Sequence, residues 1–162
     1  MSDADFEILW AERAITRVVL RYARAVDACD FEALRLCFHP DARIHYGDLF
    51  SGNLDEAIEW LRDALPRLQS TLHDFGAPWT EIDLAAGTAS CDSYSTNSAR
   101  YPPDEKGEVI LNVTGTRYLD RFERRDGAWR IVERRNQSVW SLNAPELPTP
   151  PPPFQAGSPA LR

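Results

Sequence analysis

From Leu72 onward the apolar residues of this chain change from helix to strand period, and that switch constrains the fold more than any other feature. Before it, Ala11, Ile15, Val18, Tyr22 and Val26 recur at steps of three and four, the spacing of one buried stripe on a long helix. Arg13, Arg17, Arg21 and Arg24 fall on the opposite, solvated side. Asp30 is placed to cap a second helix starting at Phe31, with Leu34, Cys37 and Phe38 as its buried side. His39-Pro40-Asp41 is expected to end that helix, because proline disfavours the helical conformation in the residue before it. Alternation in Ala42-Arg43-Ile44-His45-Tyr46 then predicts a first strand. A third helix is expected from about Asp55 to Leu68, kinked or shortened by Pro66.

After the switch, segments 78–83, 88–100, 108–124 and 128–140 are rich in the β-branched and aromatic residues that strands favour. Gly87 and Asp126-Gly127 mark tight hairpin turns, and Tyr101 to Gly107 reads as a longer loop. Helices first and long hairpin-linked strands afterwards is the α+β pattern: a cone-shaped, curled antiparallel sheet with N-terminal helices packed on one face. A cone of this kind encloses an apolar cavity, the usual form of a small-molecule site. The domain is expected over residues 1–143, followed by a proline-rich tail, 144–162, without regular structure.

At 162 residues the chain can bury a real core without disulfides or metal. A composition 43% hydrophobic and 27% charged is that of a globular protein. A net charge of −7 argues against a nucleic-acid partner, which needs a positive footprint. Three cysteines, Cys29, Cys37 and Cys91, are an odd count without metal-ligand spacing, so reduced thiols are expected. No leader and no membrane-spanning run is seen, and a cytoplasmic protein with no membrane partner is expected. No phosphate loop, metal triad or nucleophile elbow is present, so neither a cofactor nor a metal is expected.

Taken residue by residue, the candidates for chemistry have plain alternatives. Tyr22 lies in the middle of the apolar stripe, where a core tyrosine is the default. Asp27 lies five residues on, roughly 140° around the helix, so the two side chains do not stack. A carboxylate near a helix C-terminus faces the negative end of the dipole at a cost of about 0.3–1 kcal/mol. His73 sits between the third helix and the long strands; His39 and His45 have weaker claims. Arg134 and Arg135 point to opposite faces of one strand, so only one can enter the cone. Trp60, Trp79, Trp129, Trp140, Phe50, Phe75 and Tyr94 supply aromatic surface for a cavity wall, a core or a subunit interface.

The motifs Tyr22-Ala-Arg-Ala-Val-Asp27, Phe38-His-Pro-Asp-Ala42, Thr71-Leu-His73, Tyr118-Leu-Asp-Arg-Phe122 and Arg125-Asp-Gly-Ala-Trp-Arg-Ile131 with Arg134 together resemble one family. It is the SnoaL-like branch of the nuclear-transport-factor-2-like superfamily, and the resemblance covers roughly residues 5 to 141. The site pattern is most similar to the cofactor-free eliminating members: scytalone dehydratase, bile-acid 7α-dehydratase and hexachlorocyclohexane dehydrochlorinase. The resemblance implies a pocket holding Tyr22, Asp27, His73 and Arg134, with a His73–Asp27 pair taking a proton. It brings Asp27 into the cavity and points to Arg134 as the arginine. The implied activity is cofactor-independent lyase chemistry on an apolar cyclic small molecule. An isomerase or polyketide cyclase using the same proton transfer, and a binding or assembly module without chemistry, are the alternatives. Relatives of this type form homo-oligomers, dimers or trimers, and one is expected here.

Overall fold

The computed structural model describes residues 2–146. Helix α1, Asp3–Asp27, starts at a capping box in which the Ser2 hydroxyl accepts from the Asp5 backbone and the Asp5 carboxylate accepts from that of Ser2. Its buried face carries Ile15, Val18, Val19, Tyr22 and Val26, while Arg13, Arg17, Arg21 and Arg24 stay exposed as the periodicity predicts. Each fully buried aliphatic chain contributes about 1.5–3 kcal/mol. Asp30 caps the short helix α2, Phe31–Arg35, by accepting from the Ala33 backbone.

Strand β1 spans Phe38–Tyr46, which corrects the expected role of His39-Pro40-Asp41: α2 has already ended, and the proline lies inside a strand. The strand tolerates it because its pairing slips between Phe38 and Arg43, leaving no ladder bond for Pro40 to donate. A four-residue strand not expected from the sequence, β2 (Phe50–Asn53), pairs with β1. Helix α3, Leu54–Ala64, is capped by Asn53 and stops four residues short of the predicted Leu68. The chain tightens there into one 3₁₀ turn, Leu65–Arg67, with Pro66 in its opening positions, where the missing N–H is harmless.

Strands β3 (Ser70–Phe75), β4 (Trp79–Asp83), β5 (Thr88–Arg100), β6 (Ile110–Arg125) and β7 (Ala128–Pro145) complete the sheet. Segment 70–75, whose first half had not been expected to be extended, is itself a strand, and β7 runs on to Pro145, past the expected boundary at 143. The remainder of the proline-rich tail, from 147, lies outside the described residues.

The sheet order is β2-β1-β7-β6-β5-β3, with β4 beside β3 along the same edge of β5. It is mixed rather than wholly antiparallel: β1 runs parallel to β7. Register shifts at Gly115/Thr116 and Arg121/Phe122 bend the long β6–β7 ladder, and such bulges sharpen local twist. At the first of them Trp140 lies on Gly115, where a Cβ would meet the indole at 2.2 Å. The β6–β7 turn has positive φ at both Asp126 and Gly127, as a two-residue hairpin of this hand requires. The helices cover the inner, concave face, and the core of Ile15, Val19, Phe38, Ile44, Phe122 and Ile131 lies between.

Candidate active site

Asp27 is the last residue of α1, and β3 crosses directly beneath it. As an edge strand β3 carries N–H groups that no neighbour satisfies, and Asp27 takes one of them. Its Oδ2 accepts the His73 backbone N–H at 2.9 Å. Its Oδ1 lies 2.7 Å from His73 Nδ1 and accepts the Thr71 hydroxyl at 2.9 Å. Burial would raise the Asp27 carboxyl, but the bonds from the His73 ring and backbone and from Thr71 overcome it and hold the group below its ordinary value. With Nδ1 engaged, Nε2 has no hydrogen-bond partner among the described residues, in a ring whose side chain is 13% exposed.

The Tyr22 ring stands edge-on to the His73 ring at 6.5 Å and also to Phe38, Phe75 and Tyr118. The separation around the helix between Tyr22 and Asp27 is thus closed by β3, whose histidine touches both. The Tyr22 hydroxyl, however, is 3.1 Å from that of Tyr46 rather than beside the dyad. Desolvation raises both phenols, Tyr22 well above its ordinary value and Tyr46 to about 12, so both remain protonated donors. In such a pair one hydroxyl proton is shared and the other stays free for a third oxygen. Phe50 and Trp60 pack around the Tyr46 ring.

Of the two candidate arginines, Arg134 enters the interior and Arg135 is exposed on the other face, paired with Glu133 of its own strand. Arg134 is fully buried, and its Nε and Nη2 grip both Asp120 oxygens at 2.8 and 2.6 Å. Its guanidinium lies 3.9 Å over the Tyr22 ring and 4.9 Å over the Tyr118 ring. Burial alone would lower its pKa; the Asp120 carboxylate more than reverses that and keeps it charged. Arg134 Nη1 has no hydrogen-bond partner among the described residues.

Next to the dyad the inner face of the sheet carries polar side chains. Asn97, the cross-strand partner of His73, donates to Thr116 and Tyr118 and accepts from Ser95. A groove of about 530 Å³ beside Trp79, Asp92, Leu119 and Arg135 lies on the outward face, away from the dyad. His39 is buried with Nε2 3.0 Å from the Glu123 carbonyl, and His45 bonds to Ser51 on the face opposite Ile44 and Tyr46.

Tyr46, Thr71 and Asp120 were not singled out from the sequence as site residues. Each had a signal: Tyr46 alternates with Ala42 and Ile44, Thr71 shares a face with His73, and Asp120 lies between Tyr118 and Phe122 at period two. Among the described residues no three His, Cys, Asp or Glu side chains are grouped to hold a metal, and no helix is long and apolar enough to cross a membrane.

The model of the SnoaL-like domain matches residues 7–135, most of the chain. The protein belongs to the SnoaL-like family. Among solved structures it is similar to hexachlorocyclohexane dehydrochlorinase, LinA type 2, with a TM-score of 0.78 at 18% identity, over 93% of this chain and 99% of that one. A putative scytalone dehydratase from Novosphingobium aromaticivorans gives 0.73 at 18% identity, over 95% and 99%. A protein of unknown function from Mycobacterium tuberculosis gives 0.70 at 21% identity, over 85% and 76%. At these identities the likeness shows the shared fold. No curated protein matches the sequence.

Proposed function

We propose that this SnoaL-like protein is a cofactor-independent lyase, eliminating water or a similar small leaving group from a cyclic small molecule. The observation that carries the reading is the His73 Nδ1 to Asp27 Oδ1 contact of 2.7 Å, with Nε2 unpartnered among the described residues and the ring edge-on to Tyr22. A carboxylate on Nδ1 selects the tautomer whose Nε2 is the base and stabilises the imidazolium that forms.

In the proposed reaction Nε2 takes the proton next to a carbonyl, and the C–H electron pair passes to the carbonyl oxygen as an enolate. The free hydroxyl proton of the Tyr22–Tyr46 pair binds that oxygen. Arg134 acts through the N–H groups of Nη1, which have no partner among the described residues, and through its charge, which Asp120 largely balances, so its share is smaller than that of an unpaired arginine. The enolate then reforms the carbonyl and a C=C bond while the C–O bond breaks. The imidazolium returns its proton to the departing hydroxyl, giving water and the original enzyme. General acid–base help of this order is worth ~10²–10⁴-fold, and positioning and electrostatic preorganisation supply the rest.

The polar wall of Asn97, Thr116 and Tyr118 supports an oxygenated substrate over a bare hydrocarbon. Exposed Trp79, Tyr94, Leu119, Trp140 and Leu142 on the outer face support assembly into a homo-oligomer. The test is a panel of cyclic β-hydroxy ketones and their halogenated analogues, followed by absorbance of the conjugated product, with wild type and His73→Ala side by side. Conjugated product formed by wild type alone supports the lyase. Exchange of the α-proton into deuterated water without elimination would replace it with isomerase-type chemistry, and saturable binding without either would leave a binding module.

A further inference from the structure

The Asp27 carboxylate has two oxygens and three donors, and one donor is unaccounted for by the proton transfer. His73 supplies two of them, its backbone N–H to Oδ2 and its ring Nδ1 to Oδ1. Thr71 supplies the third, its hydroxyl 2.9 Å from the same Oδ1 that faces the imidazole. Thr71 and His73 are two positions apart on β3, so their side chains leave the same face of the strand. Both therefore meet the end of α1 together.

We propose that Thr71 is a positioning residue: its hydroxyl locks the rotation of the Asp27 carboxylate and so holds His73 as the Nδ1–H tautomer. The inference rests on the dyad reading and adds to it a residue that touches neither the substrate nor the imidazole. The carboxylate needs such a lock. It is partly exposed, its side chain 22% accessible, and water can compete for the Oδ1 lone pairs. It also lies at the C-terminal end of a 25-residue helix, where the dipole repels negative charge. The backbone N–H of His73 fixes only one oxygen and leaves the plane free to tilt. A second donor on Oδ1, the Thr71 hydroxyl, limits that tilt. Threonine suits the place because its β-branched side chain has few rotamers, so the hydroxyl is held by the strand itself. The hydroxyl has a second effect of the same sign, since a donor to the ionised carboxylate favours that form.

The test of Thr71 itself needs no substrate, and turnover of His73→Ala, measured apart, tests the lyase reading. Wild type, Thr71→Val, Thr71→Ala and Thr71→Ser are labelled for nuclear magnetic resonance, and two signals are followed against pH. One is the Asp27 carboxyl carbon; the other is the pair of His73 ring nitrogens, whose shifts report the tautomer. In Thr71→Val the Asp27 titration is expected to move up by roughly 0.4–1 pH unit, the equivalent of one ordinary hydrogen bond. The neutral His73 ring is expected to pass from one tautomer to a mixture. Thr71→Ser should restore both signals, and Thr71→Ala carries the same comparison if the valine variant does not fold. Unchanged titration and tautomer in Thr71→Val or Thr71→Ala overturns the proposal. So does a folded Thr71→Ser that behaves as valine does, since the methyl group rather than the hydroxyl would then matter. A shift in Thr71→Val together with full turnover in His73→Ala would support Thr71 as the residue that sets Asp27 while removing the dyad as catalyst.

Discussion

His73 Nδ1 lies 2.7 Å from Asp27 Oδ1, although 46 positions separate the two residues in sequence. The contact joins the last residue of the first helix to the edge strand of the sheet, so one carboxylate both satisfies an otherwise unpaired strand N–H and orients an imidazole.

His73→Ala and Asp27→Asn are each expected to reduce turnover by about 10²–10⁴-fold, and the double variant by no more than the larger single loss, because the pair acts as one unit. Steady-state rates on a product-forming substrate check this. Melting should move little in His73→Ala, whose ring is partly exposed.

The pH dependence has a definite sign. The Asp27 carboxyl in the folded protein titrates below its ordinary 3.8, so folding is favoured by its ionisation above that value. That contribution is lost as pH falls through the folded pKa. Comparing melting of wild type and Asp27→Asn down to pH 2 should show the carboxylate's contribution shrinking below about pH 4.

Arg134→Leu and Asp120→Leu are each expected to destabilise the fold by about 3–5 kcal/mol, since each leaves a fully buried charge without its partner. The double leucine variant should recover much of that loss. Urea titrations decide between this and an additive pattern, which would mean that the two side chains do not share one buried pair.

Removing the hydroxyls separately distinguishes the tyrosines. Tyr22→Phe and Tyr46→Phe each keep the packed ring and break the same 3.1 Å bond, for about 0.5–1.5 kcal/mol of stability. Both should slow turnover, with equal affinity for a non-ionisable hydrocarbon ligand.

Thiol reagents should find one fast cysteine in the native protein. Cys29 is exposed, whereas Cys37 and Cys91 are buried and burial pushes their thiols up to about 11 and about 12. Dithionitrobenzoate should react with one equivalent rapidly and three after denaturation; three fast equivalents would contradict the burial of Cys37 and Cys91.

The local period of the chain determined much of this protein by itself. The stripe through Ile15, Val18 and Tyr22 set which side of α1 is buried, and alternation around Ile44 turned Tyr46 inward and His45 out. These are readings of a single element, where spacing and geometry are the same thing. Tertiary structure decided everything that required two elements to meet. Pro40 entered a strand because a register slip spared its missing N–H, and β1 took a parallel place beside β7, which no local pattern encodes. Arg134 and Arg135 were equivalent by alternation until the interior carboxylate of Asp120 on the next strand claimed one of them. Asp27 read as a flank residue of its helix, and only the crossing of β3 gave it Thr71 and His73 as donors. A hydrogen bond between residues far apart in sequence leaves no periodic trace along the chain, because its partner is chosen by packing in space.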